Sequence, residues 1–171
     1  MCTRINATLI AAAAASAVIA IGSPLIANAQ QQGARLHGHW SLESTESVAK
    51  DGTRTPGQAQ KGLFIFDPSG RYSIQLYRVP LPKFASNNRQ TGTDAENKAV
   101  VQGSLAHFGT YKVDDKAGTF TILAEASSFP NWTGVEQPPR KFIVAGDKLT
   151  IINPAPSAGS GTSELTLKRL K

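Results

Sequence analysis

From residue 36 to residue 170, apolar and polar residues alternate in short runs punctuated by glycine, proline and aspartate. That is the two-residue period of strands half-buried in a sheet. Residues 36–48 read as a first strand, with Trp40 and Leu42 on one face and His39, Ser41 and Glu43 on the other. A polar loop over 50–60 leads to strands at 62–66 and 71–79. They are joined by Asp67, Pro68, Ser69 and Gly70, whose proline in second and glycine in fourth place fit a type I turn. Residues 106–113 place His107, Gly109, Tyr111 and Val113 on one face. A turn at 114–118 then leads to a strand at 119–126. Strands at 140–145 and 148–153 meet at Gly146 and Asp147, and a loop rich in Gly, Ser and Pro precedes the last strand at 162–170.

Two segments break the alternation. Over 80–103, Pro80 and Pro82 end a strand, and Thr93 with Glu96 forms a capping box that predicts a short helix to about Val101. An insertion of this kind in a hairpin-connected domain reads as a lid or an end plug. At 128–132, Ser-Phe-Pro-Asn-Trp holds two large aromatics beside a proline, a loop that is costly to leave in water. It is expected either to close an end of the β-structure or to line a binding site. Eight antiparallel strands with few helices and no repeat predict an all-β barrel. Its interior would be filled by side chains or by one small ligand, and closure removes exposed edges. A sandwich is the alternative.

The N-terminus differs in composition from the rest. Arg4 precedes an apolar segment over 9–26, and Ala27 and Ala29 supply the small residues a signal peptidase reads. Residues 1–29 are therefore expected to be a cleaved secretory signal and 30–171 a single mature domain, periplasmic or secreted, without stable membrane insertion after cleavage. The mature part contains no cysteine, because Cys2 precedes the apolar segment. This excludes a thiol nucleophile, a disulfide framework and a cysteine-ligated zinc in the mature domain, whose stability must come from its core. Without Arg4, 17 basic residues face 12 acidic ones, scattered rather than in a stripe. That argues for a mildly basic solvated surface and against a nucleic-acid partner.

Gly38, His39 and Trp40 resemble the glycine, any residue, tryptophan signature of lipocalins. Gly70, Tyr72, Phe84, Ala85, Gly92 and Thr93, the run Phe108, Gly109, Thr110, Tyr111, Val113 and Asp114, and residues 128–132 resemble the bacterial and fungal lipocalin-like domain family. The resemblance covers about 38–170 and implies a calycin-type, eight-stranded antiparallel barrel with one short helical insertion. It implies no settled activity, since members of the family look like small-molecule binders. It also implies that a basic residue of the last strand covers the first-strand tryptophan. Arg169, on the face of Leu165 and Leu167, is the matching side chain.

Candidate ligand contacts follow from strand parity. His107 and Tyr111 share a face with Gly109 and Val113, and Arg140 shares one with Phe142 and Val144, so polar groups are expected to enter an apolar interior and to need partners there. The competing readings are backbone bonding at the barrel rim for His107 and Tyr111, and simple exposure at a strand start after Pro138 and Pro139 for Arg140. Phe84, Phe129 and Trp132 are aromatic candidates for a barrel mouth or for an end plug. Arg89 lies in the same insertion as Phe84. The expected partner is a small hydrophobic molecule, with a carboxylate as one group Arg140 could meet, and the expected state is a monomer. No cofactor or metal is indicated. His37 and His39 make at most half a metal site, and they read as a solvent-facing pair. No nucleophile elbow or phosphate loop is present. Ser127 or Ser128 with His107 lacks an acid placed to orient the histidine. Whether the protein is an enzyme stays open. A cofactor-free cyclase or isomerase on the same barrel would use His107, Tyr111 and Glu125 as acid and base. A fully packed envelope interaction module is the third reading. Asn131, Trp132 and Thr133 spell a glycosylation acceptor.

Overall fold

The computed structural model describes residues 32–159 and 161–171. The expected signal segment, residues 1–29, lies outside the described residues. Among those described, no helix is long and apolar enough to cross a membrane.

The chain forms α1 (Gln32–Leu36), β1 (Gly38–Val48), β2 (Arg54–Pro56), β3 (Gln60–Phe66), β4 (Arg71–Arg78), α2 (Asp94–Gly103), β5 (Ser104–Asp114), β6 (Thr119–Ser127), β7 (Arg140–Ala145), β8 (Lys148–Asn153) and β9 (Thr162–Arg169). Apart from β2, strand order follows the sequence, and every pairing between these strands is antiparallel. Pairing of β1 with β9, from Trp40 with Arg169 to Val48 with Thr162, closes eight strands into a barrel. The short β2 is a ninth strand that hydrogen-bonds outside the barrel to residues 46–48 of β1. It arises in the polar loop, where no apolar alternation marks it. β9 runs along one edge of β1 while β3 and β2 take successive parts of the other, and β1 bulges at Glu43, between the pairs Leu42 with Leu167 and Ser44 with Thr166, which bends the strand.

The first strand begins later than its alternation predicts. Leu36 ends the short helix α1 and is fully buried. Its carbonyl accepts the Trp40 indole N–H at 2.9 Å, so α1 plugs this end of the barrel. The other side of Trp40 is covered by Arg169, whose guanidinium carbon sits 4.0 Å from the ring centroid. The same guanidinium donates to the carbonyls of His37 at 2.7 Å and Arg35 at 2.6 Å. Gly38 is required here. Its φ is +122°, and a β-carbon on it would lie 2.7 Å from Arg169 Nη1. The resemblance-based expectation of an Arg169 cover over Trp40 is thus met, with the two backbone bonds in addition.

Inward positions of the strands form one continuous core that includes Trp40, Phe66, Phe120, Ile122, Leu149 and Leu167. Phe66 meets Tyr111 and Phe120 edge-on, both at 5.3 Å. The predicted turn joins β3 and β4, with the Gly70 amide donating to the Asp67 carbonyl at 3.0 Å. The capping box also forms. Glu96 receives the Thr93 amide at 2.8 Å, and the Thr93 hydroxyl receives the Glu96 amide at 3.3 Å. No residue of α2 is buried. The helix lies beside the ends of β4 and β5, while the plugging role belongs to α1.

Removing the guanidinium should open the plugged end. Arg169→Met should lower unfolding free energy by about 2–4 kcal/mol, the worth of a stacked cation and two charge-assisted bonds after the discount for solvent that their partial exposure requires. Urea unfolding followed by Trp fluorescence reads this directly, and a loss under about 0.5 kcal/mol would mean that the end is closed by α1 alone.

Candidate functional site

The opposite end of the barrel is built differently. β6 pairs with β7 through only Thr119 with Lys141 and Phe120 with Arg140. Beyond that the wall is continued by residues 128–139, which are irregular. This segment is tied on by Ser128 N–H to the Ala106 carbonyl at 2.8 Å, Gly134 N–H to Ala124 at 2.8 Å and Gln137 N–H to Ile122 at 2.9 Å. The Ser128 hydroxyl also receives the Ala106 amide at 2.9 Å, so one serine supplies a donor and an acceptor where the ladder stops. A bulge at Glu125 accompanies the change, between the pairs Phe108 with Ala126 and Gly109 with Ala124. Gly109 is needed at the bulge because a β-carbon there would collide with the Leu123 carbonyl. The proline of the Ser-Phe-Pro-Asn-Trp loop starts a 3-10 turn, Pro130–Trp132, which drives Trp132 into the barrel.

Behind Trp132 lies a cavity of about 50 Å3. Its apolar lining comes from Phe64, Ile74, Leu76, Leu105, Phe120, Ile151 and Leu165, and its polar lining from His107, Arg140 and Asn153. His107 and Arg140 are each 5% exposed. The Tyr72 hydroxyl lies 2.9 Å from His107 Nδ1. With Tyr72 donating, the phenolic proton and Nδ1 are both satisfied; the reverse assignment would leave the phenolic proton without an acceptor. Tyr72 and Trp132 both meet the imidazole edge-on, at 5.4 and 5.2 Å, and Phe129 packs on the outer side of Trp132 at 5.7 Å.

Arg140 is the anomaly in this site. Burial lowers its pKa to about 10, partly offset by Tyr72, so it remains a cation at neutral pH. Among the described residues it has no ion pair, and its Nη1 is buried without a hydrogen-bond partner. Its guanidinium carbon lies 5.6 Å from the Trp132 ring centroid. A cation–π contact is worth about 0.5–2 kcal/mol, whereas a buried charge deprived of its partner is penalised by about 3–5 kcal/mol. The indole therefore offsets only part of the charge. The same environment acts on the neighbours: burial, then the positive charge of Arg140, pushes His107 down to about 4. Burial raises Tyr72 to about 12 despite the opposing pull of Arg140. Both stay neutral across the physiological range.

The structure thus brings together three of the six sequence candidates, His107, Arg140 and Trp132, with Phe129 behind the tryptophan. Tyr111 lies at the other end, where its hydroxyl donates to the Asp67 carbonyl at 2.9 Å. Phe84 is half-buried inside the insertion, close against Gly92. Arg89 is exposed in the same insertion. Glu125 is exposed and ion-paired with Arg71, outside the cavity. Tyr72 and Asn153 were not among the candidates. Tyr72 could have been found from parity, since it alternates inward with Ile74 and Leu76. Asn153 ends its strand and gives no such signal.

Comparison with known proteins bears on the whole of this barrel. The profile of a lipocalin-like domain family matches residues 37–170. A 4'-hydroxy-3'-methoxypropiophenone carrier protein of Aspergillus oryzae is 31% identical over 107 residues, which cover 57% of this chain and 96% of the relative.

The depressed His107 pKa has a pH signature. Because the unfolded chain accepts the proton first as pH falls, stability should be full above about pH 6.5 and drain away toward about pH 4, by about 2–3 kcal/mol. Urea unfolding across that window should show the decline in the native protein and a flat profile in His107→Gln. Equal slopes in both would assign the decline to other groups.

Proposed function

The chain belongs to the lipocalin-like domain family, and on that premise we propose that it is an exported carrier that holds a small, mostly hydrophobic molecule inside its barrel. The observation that carries this reading is the buried guanidinium of Arg140, unpaired and facing an apolar cavity. A fold selected for packing alone would gain by replacing it with an apolar side chain. A ligand oxygen is the partner that would justify keeping it. The A. oryzae relative is named as the carrier of an aryl ketone. A planar ring with one or two oxygens suits a cavity walled by Phe64, Phe120 and Trp132.

The volume sets a condition. About 50 Å3 accommodates water but no aromatic molecule. A guest must displace part of the wall, and residues 128–139 are the part without a continuous ladder. Trp132 would then swing or slide while β5, β6 and β7 keep the positions of His107 and Arg140. The small volume also favours a second reading, a packed interaction module of the envelope that holds nothing.

A catalytic role as cyclase or isomerase has less to stand on. An imidazole near 4 is a weak base at neutral pH and a phenol near 12 a weak acid, so the pair is matched to orienting a guest rather than to moving its protons.

Arg140→Met separates the carrier from the packed module. In the carrier the variant should bind at least about tenfold more weakly yet unfold at higher urea when empty, by about 1 kcal/mol or more. Native mass spectrometry of protein from its own source should reveal a small molecule bound one to one, released on denaturation. An unstabilised Met variant together with no bound compound and no thermal shift from aryl ketones would favour the packed module.

A further inference from the structure

The polar groups that meet the cavity are almost all donors. Arg140 offers Nη1, which is without a partner among the described residues. With Nδ1 of His107 occupied by the Tyr72 hydroxyl, the imidazole proton resides on Nε2, so the free edge of that ring donates as well. β4 contributes Tyr72, held neutral. β5 contributes His107, held neutral, and β7 contributes Arg140, the one charge. β3 and β9 contribute Phe64 and Leu165, the 128–139 loop contributes an indole face, and β8 contributes the Asn153 amide. On β6 the nearest acid, Glu125, faces outward and is neutralised by Arg71. The lining therefore holds two donors, one of them carrying the single positive charge, and one amide whose oxygen already accepts the Ala155 N–H at 3.1 Å.

From this we propose, resting on the carrier reading above, that the cavity takes its guest as an oxyanion, and that a phenolic guest bearing an acyl group loses its proton on entering. The O–H bond of the guest breaks, its electron pair stays on oxygen beside Arg140, and the proton leaves to solvent. His107 does not keep the proton, because a second cation beside Arg140 is disfavoured by the same burial that already suppresses its protonation. Charge neutralisation is the driving force. The guest supplies the anion that the fold withholds, and a low-dielectric site strengthens that pairing over its value in water. An aryl carboxylate supplies the same chemistry without a proton loss, so two ligand sources share one recognition.

The test uses the intact protein and three probes. These are 4'-hydroxy-3'-methoxypropiophenone, its 4'-O-methyl ether, which cannot ionise, and 3,4-dimethoxybenzoate, which is anionic through its carboxylate alone. At about pH 6, where the free phenol is neutral, the bound phenol should absorb at the red-shifted phenolate wavelength. Calorimetry in buffers of differing ionisation enthalpy should report close to one proton released per molecule bound. The ether should bind at least about tenfold more weakly than the phenol. Tighter binding of the dimethoxybenzoate than of the phenol would assign the oxyanion to a carboxylate, with no proton released, and would equally support the proposal. Binding of phenol and ether with equal affinity, with a neutral-phenol spectrum and no proton release, would overturn the oxyanion inference and leave the carrier standing. Failure of all three probes to bind would remove the carrier reading and this inference with it.

Discussion

Pairing of the first strand with the last is the constraint on which this structure depends. Once Trp40 stands opposite Arg169 and Val48 opposite Thr162, each barrel strand has one face turned inward, and every inward position must be filled or lead to a cavity. The closed end meets that demand with a dense set of mutually supporting contacts. Trp40 receives Arg169 on its face and gives its N–H to Leu36, while Tyr111 is tied to the turn at Asp67. The indole, the guanidinium and the phenol at this end all find partners within the chain, the ordinary behaviour of a stable interior, and only Gln32 Oε1 of α1 is buried there without one among the described residues.

At the other end Arg78 Nε, beside α2, is also buried without a partner, but the departure inside the barrel is Arg140. Arg140 begins β7 at the last rung shared with β6, so the strand that brings it inward is also the strand at which the ladder ends. The irregular wall that follows carries Trp132 against it. Closing the sheet at one end, and leaving it to a loop at the other, separates a plugged end from a loop-walled end within a single barrel. On the proposed carrier reading, stability and binding rest on different residues, the unpaired guanidinium lowering the first to serve the second, a tension common at functional sites.

Much of this was legible in the chain because the strand period is two. Parity placed His107 and Arg140 inside correctly, the turn at residues 67–70 and the capping box at Thr93 carried their own chemistry, and the Gly38 to Trp40 signature located the closed end. What escaped had no periodic signal. Helix α1 is five residues long and merges into the alternation that follows it. Strand β2 consists of exposed residues in a polar loop. Parity also treats the two ends of a strand alike, so it could not separate His107, in the cavity, from Tyr111, four residues further along the same face and bound to backbone. Nor could it show that the insertion carrying Phe84 would pack largely on itself, since that depends on the contact with Gly92.

The central claim is that the charge of Arg140 is kept for a guest. A crystal structure of the protein isolated from its own source, without added ligand and at a resolution that separates water from an organic ring, tests this most directly. The account predicts planar density between Trp132 and Phe64, with an oxygen about 2.7–2.9 Å from the guanidinium and residues 128–139 displaced outward. A cavity still near 50 Å3, with Nη1 bonded only to ordered water or to a carboxylate of the chain itself, would contradict it.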